Sequence, residues 1–353
     1  MRCGYSFATP LFSWPNFSLF MSSIHISAFH KSVDSHGGSK RSLQLQSRAR
    51  ERGSLVVGIP IAHDLLKYFI QHPRYWIQSL FNVVRISPYV NLKGLAIGYI
   101  YSVWLRGLLH KERPNHLHIE VCSGKYLVYS YLAATSGVPV IAYPHNIEFM
   151  VPGQDLKFLR SKLAAQSIEL SIYRRSSLVN TISSLDLFIL KCFSLENIRI
   201  YPYEPTNDEA IWLKMIKNER ALINHEGFLI LGSASNMATR LGMIKLLSLI
   251  KSSSKKRKYY LAGYETDSLA AKAPSNLTIY GPVSKSRLRE LMTQCKALLI
   301  NQPPTTGMLT RIIEAEYADI PVFIFNDYIQ AYTLCSPNVH IISSLDELPL
   351  EDD

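Results

Sequence analysis

From residue 24 onward, short apolar runs alternate with longer amphipathic stretches, and no other feature restricts the possible folds as much. The runs at 24–29, 55–59, 116–121, 138–143, 178–182 and 198–201 hold four to six residues each. Runs so short and so apolar read as strands buried on both faces, which means a parallel sheet flanked by helices. Residues 40–52 and most of 64–111, with breaks at Pro73 and Pro88, read as helices between them. The stretch YPYEPTND at 201–208 interrupts the rhythm with two prolines and reads as a linker. The alternation then restarts, with strands expected at 228–231, 259–262, 277–280, 297–301, 321–325 and 340–342. Helices are expected between them, notably at 239–251, 286–295 and 309–318. At 353 residues, and roughly 150 residues per domain, two α/β domains are expected. They are residues 21–201 and 202–353, each a Rossmann-like, doubly wound parallel sheet. Ligands of such sheets bind beyond the carboxyl ends of the strands, so two domains facing across a cleft would bind in that cleft.

Several classes of protein are excluded. With 47% hydrophobic and 18% charged residues the chain is too apolar for disorder. No run of about 18 apolar residues occurs, and the most apolar helix, 95–109, carries Arg106 and reads as buried or interfacial. Five scattered cysteines point to a reducing, cytoplasmic compartment, and none has the C-x-x-C spacing of a zinc site. The first twenty residues have the aromatic content but not the clean apolar run of a secretory signal, so they are read as an extra segment and Met21 as the natural start. The run at 255–258 reads as a solvated loop.

The net charge of +11 is unevenly placed. Residues 1–201 hold 22 Lys and Arg against 10 Asp and Glu, a net of +12, whereas 202–353 hold 16 against 17, a net of −1. A basic domain suits nucleic acid, an anionic membrane or an acidic ligand. Zinc-finger spacing, aromatic RNP motifs and basic heptad regions are missing, so nucleic acid is not expected. Each Lys or Arg near an anionic leaflet contributes about 1 kcal/mol, which would hold such a domain on a membrane without spanning it.

No G-x-G-x-x-G, P-loop, G-x-S-x-G or H-E-x-x-H motif is present. What the chain does carry is NQPPTTGMLTRIIEAEYADIPV at 301–322: a Pro- and Thr-rich loop with Gly307, opening a helix at about Leu309. A helix N-terminus offers free N–H groups and about half a positive charge, which suits phosphate. Arg311 in the first turn adds a bidentate cation, and Glu314 could accept from ribose hydroxyls or could be a solvent-exposed helix residue. Elsewhere, His36–Ser39 form a Gly37–Gly38 turn after the first strand, VPVIAYPHNIE at 138–148 puts His145 just past a strand end, and FLILGSASNMATRLGM at 228–243 holds Arg240.

Over about residues 24–345, these segments resemble in order and spacing the retaining GT-B-fold glycosyltransferases of family 4, the group 1 transferases. The R-x-x-E-A helix is their nucleotide-sugar signature. Where the fuller motif has two glutamates with seven residues between them, the second falls on Glu314 and the first on Thr306, so amides around Gly307 and Thr310 would take over the sugar contact. The resemblance implies catalytic roles for His145, Arg240 and Arg311. It implies donor binding by Gly37, Gly38, Gly307, Thr310 and Glu314, with Val283 beside the base. The substrates implied are a nucleotide-sugar donor and a saccharide or lipid-linked acceptor, in cell-surface polysaccharide or lipopolysaccharide synthesis, with no metal or other cofactor. The +12 domain would face the acceptor, and with it an anionic membrane surface, from the cytoplasmic side. Two alternatives stay open: a GT-B-like subunit that binds without catalysing, and a GT-B sugar epimerase. Members commonly continue past the point where this chain stops, at LPLEDD, so either a short-tailed or a truncated chain is expected.

Overall fold

A computed structural model describes residues 23–29, 37–153, 155–255, 257–302, 306–325 and 337–349. The first twenty residues, Met21, His36 and the last four residues lie outside the described residues.

The described chain forms two six-stranded sheets with every strand pair parallel. The first lobe runs β1 (Ser23–Ser27), α1 (Gly37–Glu51), β2 (Leu55–Gly58), α2 (Ala62–Gln71), α3 (Trp76–Ile86), α4 (Leu92–Glu112) and β3 (His116–Val121). It continues through α5 (Lys125–Ala134), β4 (Val140–Pro144), α6 (Lys162–Arg175), β5 (Leu178–Thr181), α7 (Ser184–Cys192) and β6 (Ile198–Ile200). Its strand order is β2-β1-β3-β4-β5-β6. The second lobe runs α8 (Asn207–Arg220), β7 (Phe228–Leu231), α9 (Met237–Ser252), β8 (Tyr259–Ala262), β9 (Leu277–Gly281) and α10 (Lys285–Gln294). It ends with β10 (Ala297–Ile300), α11 (Thr310–Tyr317), β11 (Val322–Phe325) and β12 (Val339–Ile342), in the order β12-β11-β10-β7-β8-β9. The α/β fold of two doubly wound, Rossmann-like sheets expected from the alternation is therefore the fold observed.

The apolar runs became strands because both faces are covered: β10 is buried at every position. In the first lobe, Ile24, Leu117 and Val140 meet Leu127 and Ile168 in one core. The second lobe has a core on each face, one beneath Leu246 and Ile250 of α9, the other beneath Leu213, Leu291 and Ile312. Helix starts follow side-chain chemistry: Asn91, Ser161, Ser183, Asn236 and Ser284 each accept a hydrogen bond from an amide of the first turn. Among the described residues no helix is long and apolar enough to cross a membrane.

Three local expectations are corrected. Gly37 and Gly38 do not lie in a loop but are the first two residues of α1. The linker ends early, because Thr206 forms a capping box with Glu209 and starts α8 at Asn207. The basic run at 255–258 is not all solvated: Arg257 is buried and donates to the carbonyls of Leu345, Leu348 and Pro349, tying the end of the described chain to the second sheet.

Candidate functional site at the lobe interface

Each sheet has one point where the chain reverses its direction of growth. In the first it steps from β1 out to β2 and returns to β3 on the other side of β1, leaving a crevice between β1 and β3. In the second it moves from β7 to β8 and β9, then returns to β10 beside β7. Such switch points, at the carboxyl ends of the strands, are where open α/β sheets bind ligands.

At the first crevice stands Glu120, fully buried near the end of β3. It accepts from His25 Nε2 of β1 at 2.9 Å, from His145 Nε2 at 3.2 Å, from the Ala28 amide at 3.4 Å and from the Ser42 hydroxyl of α1. Burial alone would raise this carboxyl, but the bonds from His145 and His25 outweigh it and hold it well below the usual carboxylate range. Glu120 therefore fixes the orientation of His145, which sits just past β4 with its ring 5.8 Å from that of Phe29. Donor atoms of Glu120, Cys122 and His145 lie within 4.8 Å of one another. The set fits a metal ion poorly. Both Glu120 oxygens are already taken, and burial raises the Cys122 thiol, away from the thiolate that a metal binds.

At the second crevice Arg311 bridges the two strand ends. Its Nη1 donates to the Leu231 carbonyl of β7 at 2.7 Å and its Nη2 to Gln302 Oε1, just beyond β10, at 2.6 Å. Thr239 of α9 donates to the same Gln302 oxygen at 2.9 Å. Thr310 opens α11 directly opposite the opening of α1: a Cβ placed on Gly37 would lie 3.2 Å from Thr310 Oγ1. Two helix N-termini, one from each lobe, thus converge, and their partial positive charges add. Glu314, one turn into α11, is 4% exposed. It accepts from Lys40 Nζ of α1 at 2.6 Å and from the Tyr203 hydroxyl at 3.4 Å, so the solvent-exposed reading of this glutamate is corrected by an ion pair across the interface.

Further contacts join the lobes beside His145. Thr306 Oγ1 donates to the Ile147 carbonyl and accepts from the Ile147 amide, both at 3.0 Å. The Gly307 amide donates to Asp186 Oδ1 at 2.9 Å. Asp186 is buried, which raises its carboxyl to about 6 against the opposing bonds from Gly307 and Ser183. Behind the 146–150 segment, Glu169 of α6 accepts from the Glu148 and Phe149 amides and from the Tyr173 hydroxyl.

Of the residues singled out in the sequence, the fold brings His145, Gly37, Gly307, Thr310, Arg311 and Glu314 to the lobe interface or its two crevices, with Gly38 next to Gly37 in the first turn of α1. It does not bring Arg240 to Arg311. Thr239 takes the inward place on α9, and Arg240, about 100° further round the helix, donates to Ser268 at 3.1 Å. Val283 follows β9, an edge strand two places from β7, and packs on the second-lobe core. Sequence reasoning missed Glu120, His25, Lys40, Asp186 and Gln302. One signal was available: the glutamate in HLHIEV, where a strand buried on both faces demands a partner for any carboxylate.

No protein-family model and no curated protein matches the chain. Solved structures do match it, over most of both chains. HepE of Anabaena in complex with UDP aligns with a TM-score of 0.59 at 10% identity, covering 92% of this chain and 86% of that one. Sucrose-phosphate synthase of Thermosynechococcus elongatus aligns at 0.60 and 11%, covering 92% and 86%. The catalytic domain of starch synthase IV of Arabidopsis thaliana, bound to ADP and acarbose, aligns at 0.54 and 11%, covering 92% and 89%. At such identity the likeness is one of architecture: the chain has the GT-B fold.

Proposed function

We propose that this chain is a glycosyltransferase that moves a sugar from a nucleotide-diphosphate sugar to a saccharide or lipid-linked acceptor with retention of configuration. The observation that carries the reading is the meeting of the α1 and α11 N-termini at Gly37 and Thr310, with Arg311 behind one and Lys40 in the other. An anionic diphosphate is the ligand such a place suits. In support, the R-x-x-E-A helix resembles the donor signature of retaining transferases, and similar folds were solved with UDP, and with UDP-glucose in HepE.

On this reading the acceptor hydroxyl oxygen bonds to the anomeric carbon on the same face from which the diphosphate departs, which retains the configuration. The diphosphate leaves with the electron pair, and the hydroxyl proton passes to its departing oxygen. Arg311 and the amides of Gly37, Gly38 and Thr310 face the growing charge, so they favour the transition state over the ground state. His145, held by Glu120, faces the reacting sugar from the first lobe. The net charge of +12 over residues 1–201 supports an acceptor at the cytoplasmic face of a membrane. A binding subunit without catalysis is favoured by one observation: Glu314 and Arg311 are engaged by Lys40, Leu231 and Gln302 in this form.

Thermal shift against a panel of nucleoside diphosphates, followed by release of sugar from the matching nucleotide sugar, tests the reading. A ligand at 100 times its Kd stabilises by about 2.7 kcal/mol, and a shift with turnover is expected. A shift without turnover favours the binding subunit, and no shift with any diphosphate refutes both.

A further inference from the structure

Helix α3 is built inside out. Its buried positions include Ser79 and Asn82, and Asn82 donates to Ser102 Oγ of α4 at 2.9 Å. Ile86 at its end joins the first-lobe core, but four apolar side chains face away from the lobe: Ile77, Leu80, Phe81 and Val84 are 74%, 49%, 69% and 69% exposed. Their spacing of three, four and seven residues places all four on one stripe, opposite the buried positions. Helix α2 repeats the arrangement with exposed Leu66 and Ile70, and Phe69 stacked on Trp76 at 4.9 Å joins the two helices. Soluble chains seldom leave so continuous an apolar patch in water without a use for it.

The fringe of the patch indicates what covers it. Residues 59–111 hold six Lys and Arg against a single acid, Asp64. Four of the six, Lys67, Arg74, Arg85 and Lys93, are exposed on or beside these helices. Apolar side chains ringed by cations match the acyl and headgroup layers of an anionic bilayer. A second copy of the chain would bring two positive fringes together, which disfavours it.

We propose that the α2–α3 face is an interfacial docking surface for an anionic lipid bilayer, with Ile77, Leu80, Phe81 and Val84 seated among the acyl chains and the four cations at the headgroups. This rests on the membrane side of the function proposed above and is independent of its donor side. Because the docking helices belong to the first lobe, they would hold the Glu120–His145 crevice in one fixed relation to the bilayer. A lipid-linked acceptor would then reach it without leaving the surface.

The test is co-sedimentation of the full chain with phosphatidylcholine vesicles, with and without phosphatidylglycerol. The wild type is compared with the triple variant Ile77→Ser, Phe81→Ser, Val84→Ser. Exposed second-lobe residues serve as the control, in the pair Ile211→Ser, Leu222→Ser. The wild type and control pair are expected to partition onto the anionic vesicles, and the triple variant at least tenfold less, with an unchanged melting temperature. Equal partitioning of wild type and triple variant overturns the proposal, as does equal binding of the wild type to neutral vesicles. A wild-type dimer that the triple variant dissociates in the absence of lipid would also overturn it, by making a second copy the occupant. Vesicle binding is read without any nucleotide, so a failure of the donor reading leaves this test intact.

Discussion

Substitution of Gly307 by alanine tests the lobe interface most directly. Gly307 has φ +88, in the left-handed region that costs a side-chain-bearing residue about 1–2 kcal/mol. Its Cβ would lie 2.0 Å from Asn146 Oδ1 and 2.8 Å from the His145 carbonyl. The Asn146 amide can swing aside, giving up its bond to Glu148, but the His145 carbonyl is backbone that follows directly on β4 and cannot. The 306–307 segment therefore has to retreat, and three bonds between the lobes go with it: two between Thr306 and Ile147, and one from the Gly307 amide to Asp186. At about 0.5–1.5 kcal/mol each, the interface loses about 1.5–4.5 kcal/mol. Each lobe keeps its own core, so the melting of the individual sheets should change little. Hydrogen exchange at the Ile147 amide and at the amide of residue 307 is the assay, since both protons are bonded only while the lobes meet. Protection of both should fall at least about tenfold, one decade per 1.4 kcal/mol, and turnover should fall with it. Unchanged protection at both amides would refute the reasoning, because the clash would then have been absorbed without opening the interface.

Arg311→Ala is expected to lower turnover at least tenfold, and activity within twofold of wild type would reject its assignment to the diphosphate. It should also lower the melting temperature, because the Leu231 carbonyl loses this donor and Gln302 is left with Thr239 alone, at a cost of about 1–3 kcal/mol. Glu169 gives a pH dependence of definite sign. Burial raises its carboxyl to about 7 in the fold, against 4.5 ordinarily, so the folded chain binds the proton more tightly than the unfolded one. That stability is complete below about pH 4.5 and is lost as pH rises through about 7, amounting to about 3 kcal/mol. Melting followed across that range should show the wild type losing stability relative to Glu169→Gln as pH rises, and parallel curves would exclude the carboxyl as the cause.

Periodicity made most of the fold legible. Apolar runs of four to six residues read as strands buried on both faces, and Pro73 and Pro88 fall at the breaks between α2, α3 and α4. The helix opening near Thr310 and the cation Arg311 in its first turn were legible too, because a helix start is set by a few neighbouring residues. Boundaries shifted where a local bond outweighed the pattern, as at the Thr206–Glu209 capping box.

Strand order was not legible, and with it went the two crevices, since a reversal of sheet growth leaves no mark on any short segment. The partners of buried charges were equally hidden. Glu120 lies 95 residues from His25, and Lys40 lies 274 residues from Glu314. The sequence by itself determined which segments become strands and helices, because that choice is set within a few residues by burial and backbone hydrogen bonding. Only the tertiary structure decided which charges neutralise one another, because a buried ion takes its partner from whatever the packing of distant elements brings within about 3 Å.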